Sequence, residues 1–327
     1  MAEVSGAVRV PGARYAFGVF HPASPMLRIR YRQGVAVDPH GFPDWTPYAR
    51  EVVELPPLPP GTGVDVARVL AVVTANLVLA DPSDPDARTP VGWTWAHLPG
   101  ARRVALVPAE LHAAFRHLGG ISTGDADHGR RGLPVDSVDP PPIEVAERLS
   151  PDVVALVEER LGGPLPAGYR DFLTRTNGGR PGWPAVHPRF GFVVDQPFLG
   201  LARTDGLQDL NYANTWWADR FPSDWLAIGH VQGGLLLVKI RGGDSGSIWY
   251  WDDDDPRARD GDSPAEVGDR LLHRCAEGFG SFWHALRAVP ATLWEAAATA
   301  VAEGRAVRVD DDRIGTALPA ARRAGAR

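Results

Sequence analysis

The sequence has one cysteine, Cys275, in 327 residues. A single thiol forms no internal disulfide, and no set of thiolates can hold a metal. Cys275 therefore reads as a small buried hydrophobe on a helix. No apolar run approaches the roughly 20 residues that span a bilayer, so no membrane partner is expected. The opening stretch, "MAEVSGAVRVPGARYAF", lacks the charged-then-apolar pattern of a secretory signal, and a cytoplasmic location is expected. A basic surplus is missing too. The formal net charge is -6, from 34 Lys+Arg against 40 Asp+Glu. Up to Pro140 there are 14 acidic and 13 basic side chains; from Pro141 to Pro290 there are 21 and 15. Neither part has the basic face of a nucleic-acid binder, and the second would repel a phosphate backbone.

What is present is ordinary globular material, 44% hydrophobic and 23% charged, in a chain long enough for two domains. "HGRRGLPVDSVDPPPIEV" is polar and ends in Pro140-Pro141-Pro142. Such a run neither continues a helix nor pairs in a sheet. It reads as a stiff linker between two domains, open to trypsin at Arg130-Arg131.

In the first part, "MLRIRYRQGVAVD" alternates like a strand. "DVARVLAVVTANLVLA" has apolar residues at helical spacing. "RRVALVP" reads as a short strand, and "AELHAAFRHLGG" as a helix stopped by Gly119-Gly120. The second part opens with helices at "IEVAERL", at "SPDVVALVEERLG" with Ser150 as N-cap and Pro151 behind it, and at "PAGYRDFLTRTNGG" with a left-handed stop. Strands follow at "FGFVVD", "DWLAIGHV", "GLLLVKI" and "GSIWYWD", then a helix at "GFGSFWHALR". Helices, then an antiparallel meander, then a helix is α+β organisation. "PATLWEAAATAVAEG" adds one more helix, and the final "ALPAARRAGAR" looks frayed.

Three histidines crowd the end of the first part: His97, His112 and His117. An offset of five turns the last two about 140° apart on a regular helix. On spacing alone they are two half-exposed helix histidines, or a metal pair if the helix frays and leaves His117 at its end. The motifs around them narrow this. "DPHGFPDWTPYA", then "TAN", then "TPVGWTWAHL" and "VALVPAELHAAFRHLGG" together resemble the WHH group of HNH/endonuclease VII-type nuclease domains, over about Asp38 to Gly120. The resemblance implies a metal ligand and then a water-activating base directly after the tryptophan. Here those positions hold Ala96 and His97. It makes His97 the candidate general base and His112 and His117 candidate metal ligands. A methyl group at Ala96 replaces the expected first ligand, unless Asp44 or Asp125 supplies an oxygen. Without that ligand the site loses affinity and geometry for Zn²⁺ or Mg²⁺.

In the second part, "LPAGYRDFLTRTNGG", "DWLAIGHVQGGLLLVKIRGGDSGSIWYWDDDD" and "GFGSFWHALR" resemble the SUKH superfamily, over about Ile143 to Val289. That resemblance implies an immunity protein that binds a toxin, not an enzyme. His187, His230, His273 and His284 are scattered and read as structural or surface residues. "WDDDDP" reads as a solvated loop, because carboxylates alternating along a strand do not converge. The competing reading is an acidic edge that steers toward a toxin's cationic face. Trp216 and Trp217 are core lids or binding hot spots. The candidate partner-binding set is Trp216, Trp217, Asp252, Asp253, Asp254 and Asp255.

The sequence therefore predicts an α+β chain of two domains. A small HNH-like α+β domain (1–127) and a proline-rich linker (128–142) precede a SUKH-type α+β domain (143–290), whose antiparallel sheet is flanked by helices. A C-terminal helix and frayed tail follow (291–327). The expected function is binding and neutralising a protein toxin, itself a nuclease, with an inactive nuclease-like N-terminal domain and no cofactor. The alternative is an active metal-dependent endonuclease toxin fused to its own immunity domain. Only that alternative brings in nucleic acid and a divalent metal, Zn²⁺ or Mg²⁺.

Overall fold

The computed structural model describes residues 15–80, 83–84, 86–100, 102–115, 117–123, 129–259 and 261–323. Asp125 lies outside them. The chain starts with a hairpin-like pair, β1 (Gly18–Phe20) and β2 (Val35–Val37), joined through α1 (Pro25–Arg30). Alternation predicts a strand over "MLRIRYR", and the structure has a helix there. Ser24 is extended and Pro25 occupies the first turn, a favoured helix start. Leu27 and Tyr31, four apart, both point inward, whereas Ile29 is 74% exposed. The strand period would have put all three on one face.

Next come β3 (Glu51–Glu54), α2 (Val64–Leu79), β4 (Trp93–His97), β5 (Arg103–Pro108) and α3 (Ala109–Ala113). α2 follows the apolar spacing of its sequence and packs Val69, Val72, Val73 and Leu77 into a core with Trp93, Trp95 and Leu106. α3 stops at Ala113, well before the glycines.

In the second part, β6 (Ile143–Glu144) pairs with β7 (Arg180–Pro181) around α4 (Pro151–Leu161) and α5 (Ala167–Thr176). The caps follow the sequence. The Ser150 side chain accepts from the Asp152 amide, Gly162 is left-handed, and Asn177 ends α5 at φ 43. "IEVAERL" is not a helix. The amides of Ala146 and Leu149 bond the carbonyls of Thr176 and Thr174, so this segment runs along the end of α5. Short strands β8 (Ala185–Val186) and β9 (Val193–Val194) and helix α6 (Leu210–Thr215) precede the main sheet. That sheet is an antiparallel meander of β10 (Trp225–Val231), β11 (Gly234–Lys239), β12 (Ile248–Asp252) and β13 (Leu272–Ala276), with α7 (Pro264–Arg270) between the last two strands. α8 (Phe279–Ala285) covers it, stacking Phe279 on Phe172 of α5. β14 (Arg287–Ala288) pairs with β8.

The C-terminal segment returns to the first part. α9 (Ala291–Ala302) places Ala297 in the core of α2, and β15 (Val307–Arg308) adds a strand to β3, giving the order β15-β3-β5-β4. The described end of the chain, through α10 (Ala320–Arg323), is anchored rather than frayed. Leu318 is buried, the Ala317 amide bonds Pro47 and Arg322 bonds Glu110.

The proline-rich segment is likewise pinned. Asp65, at the start of α2, accepts from the amides of Arg131 and Gly132; Leu133 is buried; Trp283 donates to the Pro141 carbonyl. One hydrophobic core runs from Leu27, Trp45 and Leu111 to Phe172, Leu236 and Tyr250. Native trypsin digestion is therefore expected to spare the bonds after Arg130 and Arg131, because their backbone is hydrogen-bonded on a continuous core. Early release of two stable fragments cut there, read by mass spectrometry, would contradict this arrangement.

Candidate functional site

β4 divides the residues after the tryptophan between two faces of the sheet. Trp93 and Trp95 face α2, where the Trp95 indole donates to Asn76 Oδ1 at 2.8 Å. His97 is on that same face and lines a small apolar cavity with Ala67, Leu70, Ala71, Thr74 and Ile121. Burial and the charge of Arg68 hold its imidazole below the usual range. Ala96, on the opposite face of the strand, belongs to the core that contains Trp45, Leu111 and Ala113.

His112 and His117 meet on Trp45. Their ring centroids are 4.7 Å apart and lie 5.2 and 5.4 Å from the Trp45 ring. The offset of five is accommodated because α3 ends at Ala113 and His117 lies beyond it. Gly119 and Gly120 serve close approach. A Cβ at Gly120 would sit 2.3 Å from the His97 carbonyl oxygen, and one at Gly119 would overlap the Asp254 carboxylate. The structure thus brings His112 and His117 together and places His97 across the sheet. Asp44 is occupied elsewhere, accepting from the Thr46 amide and from Arg313.

The acidic run closes over this pair. β12 ends at Asp252, and the chain turns through Asp253 and Asp254. The strand alternation that would separate these carboxylates no longer applies, and oxygens of Asp252, Asp253 and Asp254 lie within 4.8 Å of one another. The run is not a solvated loop. Asp253 Oδ2 lies 3.4 Å from His112 Nδ1, with both side chains 8% exposed. Asp252 and Asp254 both accept from the Arg68 guanidinium, at 2.8 and 3.3 Å, and Arg130 takes the other oxygen of Asp252. Asp255 turns away, to Arg257 and His273.

Burial governs the protonation of this cluster. It drives His112 well below its ordinary range, helped by the neighbouring His117, His230 and His97, and it pushes His117 down to about 4 against the pull of Asp254. It raises Asp253, with Asp254 and Asp252 adding like charge, and it raises Asp254 against the attraction of Arg68. Burial thus disfavours the charged form of both His112 and Asp253.

A divalent metal fits these residues poorly. His117 Nδ1 is buried with no hydrogen-bond partner, as a ligand atom would be. Yet Ala96 offers only a methyl, and no group of three ligand atoms within 4.8 Å among the described residues includes a histidine. The donor set is short by one.

Trp216 and Trp217 are 5% and 2% exposed, packed edge-to-face on each other and on Tyr212 and His230. They are core, not surface anchors, because they follow α6 where its apolar face turns onto the main sheet. Sequence reasoning missed Arg68, which sits in an otherwise apolar helical face. It also missed Gln196 and Gln232, which cover the open edge of β4. Gln232 accepts from the Trp95 amide and the Thr94 hydroxyl and donates to Asp195; Gln196 accepts from the Gly92 amide and donates to the Trp93 carbonyl. An arginine inside a hydrophobic periodicity was the one available signal.

Residues 148–282 match the model of the SMI1/KNR4 family (SUKH-1). Residues 85–127 match the model described as a nuclease of the HNH/ENDO VII superfamily with conserved WHH. No curated protein matches the chain. No described helix is long and apolar enough to cross a membrane.

The histidines give a pH dependence of definite sign. His117 falls from 6.5 to about 4 on folding. Its contribution is complete above pH 6.5 and is lost as pH falls through 4, up to about 3 kcal/mol. Asp253 and Asp254 act oppositely, since raised carboxyls favour the fold at low pH. Thermal unfolding from pH 7 to pH 4.5 should show His117→Gln losing less stability than the unmodified protein. Parallel curves would refute the assignment.

Proposed function

We propose that this chain, which joins a WHH-type nuclease domain to a SUKH-1 domain, works by binding: its SUKH-type unit is a nuclease-site binder that neutralises nuclease toxins. The N-terminal unit is a silent nuclease fold held by that binder in cis. The observation that carries this reading is the seating of Asp253 and Asp254 on His112, His117 and Gly119. Carboxylates there occupy ground that a nuclease would leave to an anionic phosphate, and they exclude it by charge and by volume. Ala96 silences the unit a second time, since removing the mask leaves the metal one ligand short.

Within this reading, residues 1–127 and 143–290 are the two units, and their shared core makes the contact permanent. His97 keeps the position of the base, facing α2. A protein nuclease bound in trans meets surface of the SUKH-type unit outside the turn of Asp252, Asp253 and Asp254, which the chain's own N-terminal unit already covers. The sequence's steering role for Asp252 to Asp254 gives way to a buried one, because these side chains meet the chain's own N-terminal part, while Asp255 is held by Arg257 and His273. A second reading has its own support: a mask placed directly over the two histidines is what an active endonuclease toxin would need from a built-in immunity unit.

The two readings separate in a nuclease assay on the full chain supplied with Mg²⁺, Mn²⁺ or Zn²⁺. The expected outcome is no cleavage by the unmodified protein, by D253N/D254N or by A96H. Cleavage should appear in A96H/D253N/D254N and be lost when His112→Ala removes a second ligand. Cleavage by D253N/D254N alone, lost on adding His112→Ala, would establish the active-toxin reading instead.

A further inference from the structure

The seating of the acidic turn depends on one side chain from the other unit. Arg68 projects from α2 with its side chain 1% exposed. Its Nη1 donates to the Tyr250 hydroxyl at 3.1 Å, and its Nη2 to Asp252 Oδ1 at 2.8 Å and Asp254 Oδ2 at 3.3 Å. All three acceptors come from β12 and the turn after it. The cavity is shaped for the group it holds. Gly233 adopts φ +101, and a Cβ there would come within 2.5 Å of Arg68 Cδ and Nε. The Tyr250 hydroxyl donates to the Gly233 carbonyl at 2.7 Å, so its lone pairs are turned to the guanidinium. Arg130 holds the second oxygen of Asp252 and lies over the Tyr250 ring.

We propose that Tyr250, Asp252, Asp254 and the Gly233 turn form an arginine-selective socket by which the SUKH-type unit holds the N-terminal unit of its own chain. Its occupant is Arg68, from the helix that backs the N-terminal sheet. The proposal rests on the reading of the SUKH-type unit as a nuclease-site binder and supplies its specificity contact. The geometry favours arginine over lysine. Three acceptors around one planar group match a fork of N–H donors, whereas an ammonium on a shorter reach satisfies fewer of them. Asp254 gains its place beside His117 from the same contact, so the socket also sets the position of the mask.

The test is chemical rescue of the full chain, read as thermal unfolding, which is independent of nuclease activity. R68A leaves buried Asp254 without its cation and Asp252 with Arg130 alone, and should lower the unfolding midpoint by about 5 to 10 °C. Millimolar methylguanidinium should restore a part of that loss, and methylammonium at equal ionic strength should not. The rescue should vanish in R68A/D252N/D254N. If R68A does not fold, R68K supplies the test: the socket requires a midpoint below that of the unmodified protein despite the retained charge. Equal rescue by methylammonium, rescue that persists without the aspartates, or an R68K midpoint at or above the unmodified value would each overturn the socket. None of these outcomes bears on whether A96H/D253N/D254N cleaves nucleic acid, so the socket and the silent-nuclease reading fail separately.

Discussion

Taking the Arg68 guanidinium out of water costs several kcal/mol unless other groups replace its hydration. The chain meets that demand with side chains more than 180 residues away, Tyr250, Asp252 and Asp254. Much of the arrangement follows. The turn between β10 and β11 is glycine because Arg68 passes against it. β12 ends where Asp252 has to face α2. The next two carboxylates then arrive over His112 and beside Gly119, and neither would be stable there without a cation to offset the first and third of the run. Removing one partner would leave the other charge buried and unpaired, which is the costly case for such contacts. The arginine and the acidic turn therefore form one unit, although they lie in different parts of the chain.

The rest of the contact has the same character. β4 is an edge strand, and an exposed edge invites pairing with other chains. Here it is covered by the side chains of Gln196 and Gln232, with Asp195 behind them bonded to Asn76 and the Thr89 amide. Buried Asp195 is raised by desolvation and lowered by its hydrogen bonds, which is how an acid is tolerated inside a polar network. β15 covers the opposite edge at β3, and α9 closes over α2. The polar satisfaction of the N-terminal sheet thus comes largely from residues that follow the proline-rich segment.

This division explains what could be read from the sequence. Elements fixed by their own residues were legible: α2 by its apolar period, α4 by Ser150 and Gly162, α5 by Asn177, and the meander by its paired glycines. Elements fixed by distant partners were not. "MLRIRYR" is a helix with Leu27 and Tyr31 buried and Ile29, which a strand would place beside them, left exposed. "IEVAERL" is extended because the end of α5 offers it carbonyls. The histidine pair was legible as chemistry from its motif, yet its cover was not, because the aspartates read as solvated until their cation is known. Trp216 and Trp217 show the converse: two adjacent aromatics look like surface anchors until the sheet beneath them is placed.

Tethering makes such a polar contact sustainable. Two separate proteins binding through buried charges would also lose translational and rotational freedom, and that cost competes with the small net gain of a desolvated ion pair. Within one chain the second unit is present at high effective concentration, and the contact need only be locally favourable. The proline-rich segment increases this advantage. It is stiff, and Asp65, which starts the helix that carries Arg68, grips it through two backbone amides. The same short region of α2 thus holds both the segment that delivers the second unit and, one turn later, the arginine that the second unit receives. A methyl at Ala96 fits this physics. A histidine there would project toward the core of Trp45 and Leu111, on the side of the sheet where Asp253 lies 3.4 Å from His112. The alanine methyl instead completes that apolar packing, and the carboxylates close over the histidine pair beside it.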